Sequence, residues 1–244
     1  MLMDSHRILL DGATNARDLG GFPAENGKTT RTGLFIRCDA THRLSEKDIF
    51  CLKDTGVKTV IDLRGPDELV EKPSLLMDQD FLEYKNVTLL DQLREEASRH
   101  ETPIDLGLLY IQMLETSKIG FGRLFQLFLQ SSEKGGCLFH CAAGKDRTGL
   151  SAMLLLMLAG VPDDLIEADY HATEIYQADA RKALLDELKE EGITVPEELF
   201  LAPSSAIRKA MQHIRDTYGS ARKYLLSCGF KECDCALLVE RFTV

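Results

Sequence analysis

Residues 137–158 constrain this fold more than any other stretch. An apolar run, Cys137-Leu138-Phe139, reads as the end of a buried strand, and a second, Leu150 to Leu158, reads as a buried helix. Between them lies His140-Cys141-Ala142-Ala143-Gly144-Lys145-Asp146-Arg147-Thr148-Gly149, with five residues separating Cys141 from Arg147. The pattern predicts strand, tight loop, helix, with a thiol at the loop's mouth and a guanidinium at the start of the helix. A loop feeding a helix N-terminus aims several backbone N–H groups at one point, and the macrodipole adds positive potential there. Ala142, Ala143 and Gly144 carry little or no side chain, so the loop can curl round an anion, and Gly144 can take positive φ. Such a nest binds an oxyanion, and its field favours the Cys141 thiolate. Arg147 offers planar paired donors to two phosphoryl oxygens. The Thr148 hydroxyl is placed to donate to the sulfur. These are the parts for covalent phosphoryl transfer: thiolate attack on phosphorus, then hydrolysis of a phosphocysteine.

The loop His-Cys-x-x-Gly-x-x-Arg-Thr-Gly resembles that of the cysteine-dependent protein tyrosine and dual-specificity phosphatases. Its Lys-Asp-Arg stretch is similar to the microbial tyrosine/lipid phosphatases that share it. The resemblance extends to Asn15-Ala16-Arg17-Asp18-Leu19-Gly20-Gly21, to Arg37 followed by Leu44-Ser45, to Ile61-Asp62-Leu63-Arg64 with Glu68, and to the tail around Tyr218-Gly219-Ser220 and Tyr224-Leu225. It implies a protein tyrosine phosphatase, with a phosphoinositide phosphatase as the alternative. Either would act on a phosphorylated protein or phosphoinositide, release inorganic phosphate and need neither metal nor cofactor. Other readings are a phosphate-recognition module without turnover, and a sulfurtransferase or arsenate reductase; Thr148-Gly149 after the arginine points away from the last two.

Asp146 is the informative oddity. A carboxylate inside an anion nest opposes phosphate unless it carries a proton, and a protonated carboxyl can supply that proton to the leaving oxygen and later activate water. Related tyrosine phosphatases place their acid on a Trp-Pro-Asp loop, and this chain has no tryptophan. The resemblance likewise implies an acid within the loop. Asp146 is therefore the expected acid, and Asp91, which follows the strand-like Val87-Thr88-Leu89-Leu90, is the alternative. Lys145 either supplies a second positive charge for highly anionic substrates or is merely solvated. His140 either tunes the thiol or orients the loop.

Composition narrows the partners. A formal net charge of −10 argues against nucleic acid and against a strong hold on anionic membranes. The longest apolar helix run, Leu150–Val161, is too short to span a bilayer, so no stable membrane insertion is expected. The first ten residues hold only Ile8-Leu9-Leu10 as an apolar run, too short for a secretory core. Seven cysteines, an odd count beside a reactive thiol, predict a reducing, cytoplasmic setting, although signal-independent secretion would leave no mark. Cys228, Cys233 and Cys235 match no closed zinc spacing.

The remaining chain fits an α/β fold with a mostly parallel central sheet of four or five strands flanked by helices, and a helical C-terminal portion over 163–244, all in one phosphatase-like domain of residues 1–244. Leu34–Cys38, Thr59–Leu63 and Phe81–Leu90 read as strands. Ser45, with Asp48 three residues on, caps a short helix running to Asp54. The turn-rich 11–33 segment carries Arg17 and Asp18, which either pin it to the core or border the phosphate site. Arg64 either pairs with Glu68 in the next turn or helps position the loop. Residues 91–103 are densely charged and read as a solvated loop or as a lid, the lid extending at most over 91–118. Residues 106–116 and 121–130 look helical, the latter with Phe121, Leu124, Phe125, Phe128 and Leu129 on a core face. Asp163 or Asp164 opens a helix toward Glu190. Ser204 or Ser205 opens another, which Gly219 ends, and a last helical segment includes Tyr224 to Leu226.

Overall fold

The computed structural model describes residues 6–89, 104–193 and 195–244. Its centre is a five-stranded sheet of β1 (Arg17–Asp18), β2 (Phe35–Cys38), β3 (Val57–Asp62), β4 (Glu83–Asn86) and β5 (Gly136–His140), in the order β1-β2-β5-β3-β4. All neighbours run parallel except β1, which pairs antiparallel with β2. β5 is central and fully buried, as an apolar strand covered on both faces must be. Its register sets Cys38 and Asp62 on either side of His140, so the C-terminal ends of three strands finish level. Ligands gather at that edge in parallel α/β sheets.

Among the described residues ten α-helices accompany the sheet. They are α1 (Glu46–Asp54), α2 (Pro66–Glu71), α3 (Leu106–Thr116), α4 (Lys118–Ser131), α5 (Asp146–Leu158), α6 (Asp163–Tyr176), α7 (Ala178–Glu190), α8 (Ser204–Tyr218), α9 (Ala221–Ser227) and α10 (Glu232–Phe242). α5 is buried nearly all round, which explains a helix with no polar face. It lies on one side of the sheet among α3, α6, α8 and α9. On that side Phe35, Phe125, Phe128, Phe139 and Phe242 meet edge to face. Each buried ring contributes about 1.5–3 kcal/mol of transfer free energy. The other side is a smaller core of Ile36, Cys38, Leu52, Val60, Leu76 and Leu138 beneath α1. The Ser45 capping box forms as expected, and Asp48 also accepts from Asp11 N and Gly12 N at 2.7 and 2.9 Å.

Several boundaries depart from the sequence reading. The strand expected over 81–90 is only Glu83–Asn86, because Phe81 and Leu82 lie in a turn closed by Leu82 N onto Gln79 O. The single helix expected from 163 to 190 is two, broken at Gln177, whose backbone leaves the helical region. A strand, β1, lies in the segment read as turns, and α10 falls within the C-terminal portion expected to be helical. Residues 91–103, where the lid reading is centred, fall outside the described residues. The rest of the 91–118 span is mainly α3, whose Leu106, Leu109, Tyr110, Met113 and Leu114 are buried in the core. No helix of the described residues is long and apolar enough to cross a membrane.

Candidate active site

The loop from Cys141 to Arg147 leaves β5 at its C-terminal end and becomes α5 at Asp146, one turn earlier than the apolar run suggests. Its carbonyls are turned outward and bound. Ala142 O accepts from Ala40 N at 2.9 Å. Ala143 O accepts from Asn15 Nδ2 at 3.0 Å and from Gln177 Nε2 at 2.9 Å. Gly144 O accepts from Asn15 Nδ2 at 3.1 Å and from Arg37 Nη2 at 2.7 Å. In a trans peptide the N–H lies opposite the C=O, so fixing these three carbonyls turns the N–H groups of residues 143–145 inward. Gly144 has φ +65°, and a Cβ there would lie 2.4 Å from the Cys38 carbonyl oxygen. Only glycine fits.

A buried charge cluster holds those clamps. Arg17 and Arg37 share the carboxylate of Asp169 on α6, Arg17 Nε at 2.8 Å and Arg37 Nη1 on the other oxygen. Arg17 also reaches Asn15 Oδ1 at 2.5 Å, Asp169 O at 2.8 Å and Thr173 Oγ1 at 3.0 Å. Burial opposes the Asp169 charge, yet Arg17 and Arg37 hold its carboxyl below the usual range. Burial, and next the Arg37 charge, lower Arg17 to about 10. Arg17 thus lies behind the loop and does not line the cavity in front of it. Of its two sequence readings, the structure places it among the residues that pin the segment. Asp18 does the same locally, accepting from Gly20 N and Gly33 N.

Cys141 is buried at the floor of a cavity of about 370 Å³. Ala142, Ala143, Lys145, Asp146 and Arg147 line it, as do Gln177 at the break before α7, Ala180, Arg181 and Leu184 of α7, and Val195, Leu199 and Phe200. Arg147 is gripped by Glu68 of α2 through two parallel bonds, Nη1 to Oε2 at 2.6 Å and Nη2 to Oε1 at 2.9 Å. The expected Arg64–Glu68 pair therefore does not form. Glu68 caps its own helix through Gly65 N at 2.9 Å, which turns its carboxylate toward the loop. Arg64 folds back on Asp62 instead, Nη2 to Oδ2 at 2.7 Å, and donates to Lys72 O at 2.7 Å.

Asp146 Oδ1 accepts from Tyr110 OH at 2.5 Å and stands 3.4 Å from Lys145 Nζ. The Lys145 ammonium is buried and donates to the carbonyls of Leu199 and Leu201, the latter at 2.9 Å, so it is neither solvated nor directed only at the cavity. His140 is buried, and burial pushes its ring toward the neutral form. Its Nδ1 donates to Cys141 O at 3.0 Å, which is a loop-orienting contact. Thr148 Oγ1 is buried without a hydrogen-bond partner among the described residues, so the expected bond to the Cys141 sulfur is not made. Asp91 lies outside the described residues. All seven cysteines are free thiols, and no cluster of three or more His, Cys, Asp or Glu residues able to hold a metal occurs among the described residues. Asp169, Tyr110 and Gln177 were missed in the sequence. Each lies far along the chain from the loop, and only their shared side-chain contacts reveal them.

A cation fork, inward amides, a thiol and a carboxyl about one cavity can bind a tetrahedral oxyanion and transfer it to sulfur. The family described as "Tyrosine phosphatase family" matches residues 8–244. A tyrosine-protein phosphatase of Nostoc commune is 33% identical over 241 residues, covering 94% of this chain and 80% of the relative. Triple specificity protein phosphatase PtpB of Mycobacterium tuberculosis is 24% identical over 265 residues, covering 91% of this chain and 94% of that protein. Among solved structures, P. aeruginosa TpbA aligns with a TM-score of 0.42 and 14% identity, over 83% of this chain and 90% of that one.

Proposed function

This chain belongs to the tyrosine phosphatase family, and from that premise we propose that it hydrolyses phosphotyrosyl esters in two steps through Cys141. The observation that supports this most directly is the convergence of Cys141, Asp146 and Arg147 on one cavity with otherwise largely apolar walls. The Arg147 fork and the inward amides hold the phosphoryl oxygens, and the apolar wall of Leu184, Val195, Leu199 and Phe200 accepts an aromatic ring. In the first step the Cys141 thiolate forms the S–P bond as the P–O ester bond breaks, and the Asp146 carboxyl gives its proton to the leaving oxygen. In the second step water attacks the phosphocysteine, Asp146 takes a proton from that water, and phosphate leaves as the thiolate is restored.

A phosphoinositide is the second substrate class. It is favoured by Lys145 and Arg181, which line the cavity together with Arg147. We read residues 1–244 as one phosphatase unit with a helical C-terminal part from 163 onward, working in the reducing cytoplasm that seven free thiols suit. A substrate panel with Asp146→Asn tests the reading. Turnover of phenyl phosphate falls about 100-fold or more in that variant, and the deficit shrinks with dinitrophenyl phosphate, whose leaving group needs no proton. An equal deficit on both esters would remove Asp146 as the acid. Faster turnover of a soluble phosphoinositide than of a phosphotyrosyl peptide by the unaltered protein would reverse the substrate order.

A further inference from the structure

Three helices meet behind Asp146. Tyr110 of α3 donates to Asp146 Oδ1 at 2.5 Å, and the Tyr110 hydroxyl meets that of Tyr170 on α6. Both rings are buried, packed edge to face with centroids 6.0 Å apart and planes at 85°. Phenylalanine would fill this volume as well. The hydroxyls carry a desolvation cost that only a hydrogen bond offsets, and the acceptor at the end of the chain is the carboxyl of the proposed acid. Oδ1 also faces Lys145 Nζ. With the Tyr110 donor and the Lys145 charge both at Oδ1, the oxygen left to carry a transferable proton is Oδ2. Resting on the phosphatase reading above, we propose that Tyr110, backed by Tyr170, is a positioning residue that locks Asp146 through Oδ1 so that Oδ2 faces the ester oxygen.

The atoms balance. The proton on Oδ2 passes to the departing aryl oxygen as the S–P bond forms, and the carboxylate so produced keeps the Tyr110 O–H bond. Water then returns a proton to Oδ2 as the S–P bond breaks. The hydrogen bond strengthens when Asp146 is charged, so Tyr110 holds the carboxylate in place once the proton has left. Burial, and next the Asp146 charge, push the Tyr110 hydroxyl far above its ordinary range, so it stays a donor throughout. Among the described residues, the titratable and charged groups around Asp146 are Cys141, Lys145 and Arg147 of the loop, Tyr110 of α3, Tyr170 of α6 and Arg181 of α7 across the cavity.

Tyr110→Phe keeps the ring and removes the bond. Its kcat falls about 10-fold on phenyl phosphate and by less than about two-fold on dinitrophenyl phosphate. The alkaline limb of its kcat profile moves to higher pH, because a carboxylate deprived of its donor holds the proton longer. Adding Tyr110→Phe to Asp146→Asn costs nothing further. Tyr170→Phe moves the limb in the same direction by less. Equal losses on both esters with an unmoved limb would overturn the assignment. Should Tyr110→Phe fail to fold, Tyr170→Phe decides alone: an unmoved limb there overturns the inference. If Asp146→Asn is itself insensitive to the leaving group, the acid assignment fails; if it is sensitive and the tyrosine variants are not, only the positioning role fails.

Discussion

Replacing Asp169 by Asn removes the one negative charge between two guanidinium groups that solvent does not reach. The side chains of Arg17 and Arg37 are 0% exposed and that of Asp169 2% exposed. Removing one partner of a buried ion pair leaves an uncompensated charge and costs about 3–5 kcal/mol. Asn keeps one acceptor oxygen but cannot serve both arginines. For a chain of this size that loss lowers the thermal midpoint by roughly 6–20 °C. The effect reaches the loop, because Arg37 holds Gly144 O and Arg17 holds Asn15, which in turn holds the carbonyls of Ala143 and Gly144. Inhibition by inorganic phosphate should weaken about 10-fold, the equivalent of one charge-assisted hydrogen bond. The pH dependence has a definite sign. The Asp169 carboxyl is held below its ordinary range, so its contribution is complete above the unfolded value of about 3.9 and is lost as pH falls through the lower folded value. The gap between the two proteins is therefore flat from about pH 5 to 8 and closes only in stronger acid. Equilibrium urea unfolding across pH measures it. A destabilisation under about 1 kcal/mol at neutral pH, far below the cost of a bared buried charge, would refute the reasoning.

Glu68→Gln replaces the charged acceptor that grips the Arg147 fork with a neutral one, so kcat/KM for an aryl phosphate falls roughly 10- to 100-fold, and because both side chains are largely buried the thermal midpoint falls as well; steady-state kinetics beside a melt check it. Gly144→Ala forces a Cβ against the Cys38 carbonyl at positive φ, which costs about 1–3 kcal/mol, and calorimetry should find phosphate binding lost. Arg181→Gln raises KM for a substrate with a second anionic group roughly two- to five-fold, the value of an exposed pair, and leaves kcat alone.

How much of this was legible follows from where the signals lie. The strand, loop and helix around Cys141 are contiguous, and each carries a local mark: a run of apolar residues, small residues in the turn, an arginine at the helix start. The parallel direction of the central strands follows from their apolar, β-branched runs; their order did not. Glu68 was legible as a partner for an arginine, but local spacing pointed to Arg64 four residues before it, whereas Gly65 N and Arg147 claim it in three dimensions. Asp169 lies on a helix whose sequence shows nothing unusual, and its role exists only because β1 and β2 bring two arginines to it. Tyr110 reads as one more apolar residue of a core helix until its hydroxyl is seen on Asp146. The break at Gln177 has no proline or glycine to announce it, and there the side chain is engaged by the Ala143 carbonyl. Local chemistry was readable, and the pairing of distant charges was not.

The proposed mechanism requires the sulfur of Cys141 to carry the phosphoryl group between the two half-reactions. Rapid acid quenching of the protein during turnover of an aryl phosphate, followed by peptide mass spectrometry, measures that directly. A phosphoryl adduct on the peptide containing Cys141, formed at the rate of the burst and absent with Cys141→Ser, is the predicted result. Turnover that survives Cys141→Ser, or an adduct found on another residue, would contradict it.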